Sequence, residues 1–492
     1  MNQKSKDNIN EFLRSTSGKL GTALLIIFFI ISFFVILTYP LNFGTTVWSN
    51  PSYWSDYPKS APPTWTTFFG SNGVPHQVID ILEPDEIINL ENQQQITYRY
   101  TLNYNNDDFP TFVSFSLYNI QYHVTPPNVE LSILRPDNKE LLLYRTVVSP
   151  PRPNENAPFI RYSDSSFRIN LSGDNSVSSN LVLALNNDLD EKLLVQDIIG
   201  SNEKIIFGTI EQNSINTQKA LSGEYTIIVK FLTYDNSDSI SKIRFVIGGS
   251  TYGFIGTDSL GRDLSLGLLF GFPVALLIGL TTSTVTTFIG TVMGIISGYR
   301  GGKTDIIIQR ISDILSNIPL LPILIFLIFI IGPKLWLVML ILVAFGWPGL
   351  TIIVRSMVLQ IRSSQSIESA KSLGASQWRI MFRHVFPQLA PFIFAQLIFF
   401  TPAAILAEAS LSFLGLGDPS IPTWGQILEN GFRTGGVYVD FWWLILPPGI
   451  LIVITAMIFV LIALALEPIV LSLIHISEPT RPRLISYAVF CL

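Results

Sequence analysis

Cysteine, histidine and charge are all scarce in this 492-residue chain. Cys491 is the only cysteine, which excludes a disulfide framework or a thiolate metal site within the chain. The four histidines stand singly, and this spacing predicts no metal site. Lysine and arginine number 31 against 36 acidic residues, so no basic excess indicates nucleic-acid binding. Charged residues make up 14%, against about 25% in soluble domains, which excludes a wholly soluble protein.

Long apolar runs take the place of charge. Six of them reach the length of about 20 residues that a helix needs to cross a bilayer. They lie at 20–39, 268–296, 306–331, 335–354, 389–411 and 441–466. The first run lacks a small-residue cleavage site and is followed by the others, so we interpret it as a retained anchor rather than a signal peptide. The sequence therefore predicts a multi-pass α-helical membrane protein.

Basic residues indicate how these runs are oriented, because cytoplasmic loops carry the excess of lysine and arginine. Such residues concentrate in the tail 1–19 and in the loops after the second and fourth runs, whereas the opposite short loops contain only Lys334 and Arg433. We therefore expect both termini in the cytoplasm, with the chain in the cell (inner) membrane. The same rule places the long segment from about 41 to 262 outside.

Residues 66–250 differ from the rest in composition, being rich in asparagine, serine and aspartate. Apolar and polar residues alternate along several short stretches separated by turn sequences, which is typical of antiparallel strands. The alternating stretches are 96–104, 111–117, 129–145 and 223–234. We expect an extracytoplasmic, all-β, sandwich-like domain inserted between the first and second spans.

Gly290, Gly294 and Gly298 repeat at intervals of four residues in the second run, so they share one helix face that a neighbouring backbone can approach closely. Small residues in an ordinary helix are the alternative.

Just after the three glycines, residues 301–304 (GGKT) are similar to the end of a phosphate-binding loop. That loop requires glycine where Ser297 stands, and it follows a strand rather than a membrane helix. We therefore expect neither a nucleotide site nor ATP hydrolysis in this chain.

The cytoplasmic loop 356–387 contains the most specific pattern of the chain. Residues 367–373 have helical spacing, Gly374 permits a sharp turn after them, and a second helical run ends at Pro387. The loop resembles the coupling loop of ABC-importer permeases, in which an E-A-A triplet is followed by glycine and later by I-x-L-P. A basic loop that only anchors the topology is the alternative, but it does not explain the glycine and proline spacing.

The resemblance implies that this loop couples the chain to ATPase subunits. The residues that match the family pattern, or occupy its positions, are Glu368, Ser369, Ala370, Gly374 and Pro387. Ser369 replaces the second alanine of the pattern, and His384 and Phe386 replace its isoleucine and leucine.

Two further segments look like signatures of C-type subunits of the dipeptide/oligopeptide permease subfamily. They are residues 254–263 (FIGTDSLGRD) and residues 405–417 (ILAEASLSFLGLG), the second followed by PTWG. The resemblance covers 18–65 loosely and 253–468 well. The inserted domain departs from the family, in which these two parts lie only a short distance apart.

The first signature is expected at the outer mouth of a pathway, through Gly256, Thr257, Asp258, Leu260, Gly261, Arg262 and Asp263. Asp258 is expected to cap an interfacial helix and Arg262 to pair with it, and a structural surface pair is the alternative. In the second signature, Glu408 is an ionisable residue near the outer end of a span. With Ser410 and Ser412 it is a candidate for the pathway or gate. A solvated position at the helix end is the alternative for Glu408.

The resemblance implies a six-span, type I ABC-importer permease bundle, formed by 20–39 and 253–468. It implies a transport subunit rather than an enzyme, which works with a second permease subunit, two cytoplasmic ATPase subunits and an extracytoplasmic solute-binding protein. ATP and Mg²⁺ would bind the ATPase subunits, and no cofactor is expected in this chain. Peptides are the expected solutes, with oligosaccharides or nickel as alternatives. A membrane-anchored β-domain receptor or adhesion protein and a secondary transporter are the other classes, and the coupling loop has no role in either.

The end of the chain departs from the family after Pro468. Residues 473–492 resemble translated sequencing-adapter sequence, and we interpret them as an adapter-derived artefact without a functional role. A genuine amphipathic tail is the alternative, although its periodicity is poor across Pro479 and Pro482.

Ending the chain after Ser472 is therefore expected to leave membrane assembly and solute uptake unchanged. The measurement is uptake by cells that produce the shortened chain beside cells that produce the full one. A clean genomic amplicon is expected to lack the adapter-like run, and recovering that run intact would refute the interpretation.

Overall fold

The computed structural model describes residues 12, 14–70, 73–91, 93–187, 189–190, 192–211 and 214–476. Most of the adapter-like run, including Cys491, lies outside the described residues, as does most of the tail before residue 14. The chain divides into two compact units, of which one contains residues up to 50 and from 266 onward and the other contains 51–265. We call them the helical unit and the β unit.

The elements are numbered along the described chain. The α-helices are α1 Thr16–Thr38, α2 Asn175–Leu185, α3 Val195–Ile198, α4 Asn202–Ile206, α5 Leu264–Arg300, α6 Gly302–Asn317, α7 Leu320–Ile331, α8 Leu335–Arg362, α9 Gln365–Ser372, α10 Gln377–Ile380, α11 Phe386–Leu411, α12 Trp424–Arg433 and α13 Leu446–Ile476. The strands are β1 Gln77–Ile81, β2 Glu86–Leu90, β3 Gln93–Tyr104, β4 Val113–Tyr122, β5 Asn128–Leu134, β6 Glu140–Val147, β7 Phe159–Arg161, β8 Phe167–Asn170, β9 Gly208–Glu211, β10 Ser214–Ala220, β11 Gly223–Thr233 and β12 Ser239–Ile247.

Several helices of the helical unit are long and apolar enough to cross a membrane, as the apolar runs predict. Within the described residues there are five such helices, or six if the bent pair α6 and α7 forms one span. The five are Thr16–Thr38, Leu264–Arg300, Leu335–Arg362, Gln377–Leu416 and Trp442–Leu466. Only helices satisfy every backbone polar group from within one segment, which is why apolar runs of this length fold as helices in lipid.

The third predicted span, 306–331, is not one straight helix. It is divided between α6 and α7, which are bent by 80° at the break. Ile318 at the break is extended, with φ −79° and ψ 126°. The next residue, Pro319, has no N–H to continue the ladder and pushes the residue before it out of the helical region. This proline explains why the apolar run 306–331 is bent rather than continuous.

Helices α5 and α8 approach closely along the three glycines spaced by four. A Cβ atom on Gly290 would lie 2.9 Å from the Leu350 Cβ, and one on Gly294 would lie 2.6 Å from the Val354 Cβ. At Gly298 the backbone oxygen of Arg355 would be 2.8 Å away. No other residue type fits at these separations, because real Cβ atoms essentially never come so close. The glycine face of α5 is therefore covered by α8.

Within the described residues, the β unit contains two antiparallel sheets of five strands each and a two-stranded antiparallel sheet of β9 and β10. One has the order β2-β3-β11-β5-β6, and the other has the order β1-β12-β4-β7 with β8 also paired to β4. Strands occur at all four alternating stretches that the sequence predicts. Side chains from both sheets, such as Phe115, Phe231 and Phe245, pack in one hydrophobic cluster, as in a sandwich.

Three short helices, α2 to α4, also belong to this unit, so it is not strictly all-β as predicted. Asp174 starts α2, where its side chain accepts hydrogen bonds from the N–H groups of Ser176 and Val177. Leu181 and Leu185 are buried with Val177 on one face of α2. Asp174 followed by apolar residues at 177, 181 and 185 is a helix signal that alternation alone does not reveal.

Gly294→Val is expected to destabilise the helical unit by about 1–3 kcal/mol or more, because the added side chain would collide with α8. Gly349→Val is the matched control, since a Cβ at Gly349 in α8 meets no described atom within 4 Å. The measurement is the thermal unfolding of the detergent-purified full chain. Equal losses for the two variants would contradict the close packing.

Candidate functional site

Helix α9 opens the segment that resembles the coupling loop. Ile367 and Ala370 are buried, whereas Glu368 and Ser369 are exposed. The buried pair belongs to a hydrophobic cluster that also contains Tyr299 of α5 and Val358 of α8. One face of α9 is thus anchored on the ends of two long helices, and its other face remains accessible. Of the three pattern positions in α9, Ala370 is therefore anchored, and Glu368 and Ser369 are available for contact.

The turn after α9 depends on Gly374, whose φ is +77°. Its N–H donates to the Lys371 oxygen at 2.9 Å, and the N–H of Ala375 donates to the Ala370 oxygen at 3.1 Å. Ser376 then caps α10 by accepting from the N–H of Arg379. A left-handed residue followed by a new N-cap reverses the chain within a few residues, and glycine adopts this conformation without strain.

Pro387 does not end the second helical run, contrary to the prediction. The chain passes from α10 through a π-helical turn at Met381–Val385 directly into α11, where Pro387 lies in the first turn. A wider π turn just before proline accommodates its missing N–H and the bulk of its ring. Residues 377–416 therefore form one long apolar helical element.

The accessible side of this segment carries large apolar side chains beside the polar ones. Leu373 is 88% exposed, and Trp378 and Phe382 are about half exposed. The rings of Trp378 and Phe382 are stacked with centroids 5.9 Å apart, and the Arg300 guanidinium lies 5.2 Å from the Trp378 centroid. Exposed apolar patches rimmed by polar residues are typical of protein contact sites. We call residues 365–387 the coupling segment.

An ion pair close to this segment was missed by the sequence analysis. The Arg355 guanidinium of α8 donates through Nε and Nη2 to the two carboxylate oxygens of Asp305 in α6, both at 2.6 Å. Ser297 of α5 donates to the same carboxylate at 2.5 Å, and Gln309 donates to the Ser297 hydroxyl. This bidentate pair joins α6 to α8, with α5 attached through Ser297. Fifty positions separate its partners, so no local pattern reveals it.

The GGKT stretch is the link between α5 and α6. Gly301 and Gly302 have φ of +68° and +57°, which makes the reversal between the two helices possible. Helix α6 begins at Gly302, and Lys303 is exposed in its first turn. The two glycines are thus explained by a helix-to-helix turn.

The outer-mouth signature forms a loop around one carboxylate. Asp258 is 1% exposed and accepts from the N–H groups of Leu260 and Arg262 at 2.9 and 3.0 Å. The Arg262 Nε donates to the other carboxylate oxygen at 2.6 Å. Gly261 within this loop has φ +83°. The residues are therefore a buried pair in a turn, and the predicted interfacial helix is absent from this described stretch.

The helix-capping role predicted for Asp258 belongs to a neighbour. Asp263 accepts from the N–H of Ser265 at 2.8 Å, at the start of α5. Thr257 fixes the other side of the loop, because its hydroxyl donates to the Pro58 oxygen at 2.7 Å and accepts from the N–H of Ala61. Gly256 also has a positive φ, of +90°, whereas Leu260 is 54% exposed. The seven signature residues thus form one turn, but not one contact surface.

The candidate gate residues are only partly brought together. Glu408 is 4% exposed, and Ser412 donates a hydrogen bond to its carboxylate at 2.6 Å. Thr423 is a second hydrogen-bond partner of the same carboxylate. Ser410 is exposed and donates to the Leu406 oxygen of its own helix. The solvated alternative for Glu408 is wrong, because its side chain lies among α5, α11 and the start of α12.

His123, Asp235 and Asp238 lie together in the β unit, with one donor atom from each within 4.8 Å of the others. The Asp238 carboxylate accepts from the N–H of His123 at 2.9 Å, and Asp235 accepts from the N–H of Ser237. These hydrogen bonds close the loop between β11 and β12 against the end of β4. The cluster is therefore explained as loop closure, and we assign it no metal.

Part of the chain is similar to known transport proteins. Residues 290–474 match the family described as "Binding-protein-dependent transport system inner membrane component". A putative peptide transport system permease protein of Brucella suis biovar 1 is 37% identical over 224 residues, which cover 45% of this chain and 73% of that protein. The chain belongs to this family.

Two further members of the binding-protein-dependent transport family come from Bacillus subtilis. The dipeptide transport system permease protein DppC is 34% identical over 203 residues, covering 41% of this chain and 63% of that protein. The oligopeptide transport system permease protein OppC is 34% identical over 197 residues, covering 40% and 64%. The chain thus spans slightly less than two thirds of the length of these relatives. A structure of the MetNI methionine ABC transporter in inward-facing conformations has a TM-score of 0.33 and 20% identity, covering 43% of this chain and 99% of that one.

The family match includes the glycine face of α5, the coupling segment and Glu408, but it does not include the β unit at 51–265. The glycine face, the coupling segment and Glu408 therefore all lie within the residues that match the family. The β unit adds a second, separately packed body to the transport-family helices.

Asp258→Ala is expected to destabilise the chain by about 3–5 kcal/mol, because it removes the buried carboxylate that accepts hydrogen bonds from the Arg262 guanidinium and from two loop N–H groups. Glu86→Ala is the control, since Glu86 and Arg99 form a pair whose side chains are 45% and 48% exposed. Its removal is expected to cost at most about 1 kcal/mol. Thermal unfolding of the full chain measures both, and similar losses would show that the outer loop does not depend on its buried pair.

Proposed function

We propose that this chain is the permease subunit of an ATP-driven ABC importer. The observation that carries the proposal is the coupling segment, in which a short helix and a glycine turn present exposed side chains while Ile367 and Ala370 anchor them on α5 and α8. A partner that pushes or pulls on the exposed face would move the ends of two long helices together. Family membership supports the same role.

The proposed complex contains a second permease subunit and two cytoplasmic ATPase subunits. ATP and Mg²⁺ bind the ATPase subunits, whose motion reaches the helices through Glu368, Ser369, Ala370, Gly374 and Pro387. An extracytoplasmic solute-binding protein delivers the solute. This arrangement requires both termini of the chain in the cytoplasm and the chain in the inner membrane. The bent pair α6 and α7 then acts as one of six spans.

Peptides are the proposed solutes, because several of the similar proteins are named for peptide transport. Oligosaccharides or nickel carried by the same machinery are the alternatives. Glu408 and Ser412 are proposed to face the pathway between the two permease subunits, since ionisable side chains inside membrane bundles belong by default to such paths. The loop that contains the outer-mouth signature is proposed to stabilise the outer entrance of the pathway through the buried pair of Asp258 and Arg262.

The β unit is proposed to lie outside the membrane and to dock the solute-binding protein. Its predicted span, 66–250, contains both five-stranded sheets, and exposed loops and strand edges supply recognition surfaces. A second candidate function, a membrane-anchored receptor or adhesion protein, is favoured by the separate hydrophobic cluster of this unit. That function requires no contact at the coupling segment, which distinguishes the two.

Gly374→Val is expected to lower substrate-stimulated ATPase activity and uptake, because valine is strained at φ +77° and would alter the turn of the coupling segment. The strain does not arise from crowding, since a Cβ at Gly374 meets no described atom within 4 Å. The measurement is ATPase stimulation in the complex reconstituted in lipid.

Gly374→Asn is the matched control, because asparagine is the residue other than glycine that most readily adopts left-handed conformations. It is expected to keep most of the stimulation while valine loses it. Equal stimulation by the wild type and the valine variant, with both inserted in the membrane, would contradict a coupling role for this turn.

A further inference from the structure

The β unit contains a polar, partly open cavity that neither its fold nor the proposed transport function explains. The cavity has a volume of about 420 Å³ and lies where residues 52–57 cover the sheet containing β1, β12, β4 and β8. A second cavity of about 480 Å³ lies beside it, and the two share Ser55, Tyr57 and Arg168. Cavities of this size hold small solutes, and convergent polar groups within them are typical of binding sites.

Charged side chains are concentrated at the wall of the cavity. Asp56 is 9% exposed and is held between two guanidinium groups. Arg168 of β8 donates from Nε to one Asp56 oxygen at 3.0 Å, and Arg244 of β12 lies with Nη1 at 3.4 Å from the other. Arg244 also forms a bidentate pair with Asp80 at 2.7 and 2.9 Å. All three guanidinium nitrogens of Arg244 therefore donate to Asp56 or Asp80.

Arg168 differs from Arg244, because only one side of its guanidinium donates hydrogen bonds to described protein atoms. Its Nε and Nη2 donate to Asp56 and to the Ser55 backbone oxygen, and these two nitrogens form the side-on fork of the group. Within the described residues, Nη1 donates to no protein acceptor. The side chain is 25% exposed and lines both cavities. The end-on fork of Arg168 is thus available to an anion, and a carboxylate matches its two parallel N–H groups.

Aromatic rings form much of the remaining wall. Tyr57 and Tyr252 meet edge to face with centroids 5.3 Å apart, and Tyr118 and His76 line the same cavity. Burial raises the pKa of both Tyr57 and Tyr252, so their hydroxyl groups stay protonated at physiological pH. The rings offer apolar faces to a ligand body, and neutral hydroxyls offer hydrogen bonds.

We propose that this cavity binds a small solute through a carboxylate, which pairs with the end-on fork of Arg168 while the tyrosine rings cover the rest of the molecule. A short peptide and an acidic monosaccharide both present this chemistry at a suitable size. The site is formed entirely by residues of the β unit. It does not depend on the proposed transport function, and failure of either would leave the other untouched.

Binding is measured by calorimetry with the purified full chain in detergent, without ATPase subunits. The probes are the dipeptide glycyl-phenylalanine, its C-terminal amide, and glucuronate. Saturable binding of the dipeptide, and none of the amide, would identify the peptide carboxylate as the ligand group. Saturable binding of glucuronate alone would identify an acidic sugar. Absence of saturable binding for both acids, or equal binding of the dipeptide and its amide, would overturn the proposal.

Variants place the bound probe in this cavity. Arg168→Gln is expected to weaken binding about ten- to hundredfold, the usual effect of losing hydrogen bonds to a charged group. Val78→Trp places a large side chain in the cavity from its β1 wall without removing any charge, and it is expected to abolish binding. This second variant keeps the site testable if Arg168→Gln does not fold. Arg145→Gln is the matched control, because that side chain is 61% exposed on the other sheet and should leave binding unchanged. Unaltered binding in a folded Val78→Trp variant would contradict the site.

Discussion

The close contact between α5 and α8 is the constraint on which the helical unit depends. Helices in lipid gain little from burying apolar surface against each other, so their association relies on tight packing and on the few polar contacts available. Gly290, Gly294 and Gly298 let the two backbones approach, and the pair between Arg355 and Asp305 ties α6 to α8 near their ends. The position of the coupling segment follows, because it is continuous with α8 and packs on α5.

Buried carboxylates organise the turns elsewhere in the chain. Asp258 gathers the outer loop around itself, and Asp56 holds a segment against a sheet through Arg168 and Arg244. Such groups are costly to bury, and each is offset by charge-assisted hydrogen bonds. Removing an arginine partner weakens this compensation, so each carboxylate stabilises one shape of its loop. Arg168 differs from these fully paired groups, because its end-on N–H groups remain available to the ligand proposed for the cavity.

The sequence predicted what depends on length and local spacing. Apolar runs gave the long helices, and the glycine after α9 gave the turn, because a left-handed residue is required wherever the chain reverses so sharply. Pro319 is a local signal for the bend between α6 and α7, but the apolar run on which the predicted span was based continues through it. The pair between Asp305 and Arg355 and the cavity around Arg168 join residues far apart in the chain. Only the folded structure brings such partners together, so no spacing rule finds them.

The claim that the coupling segment contacts an ATPase is tested most directly by site-specific cross-linking. A photoreactive benzoylphenylalanine is placed at Leu373, which is 88% exposed, or at Leu183, which is 72% exposed in the β unit. The chain is produced together with its candidate ATPase subunits, and the cross-linked products are identified by mass spectrometry. An ATPase adduct is expected from position 373 and none from position 183. Absence of the adduct at 373 from an assembled complex, or equal adducts at both positions, would contradict an ATPase contact at the coupling segment.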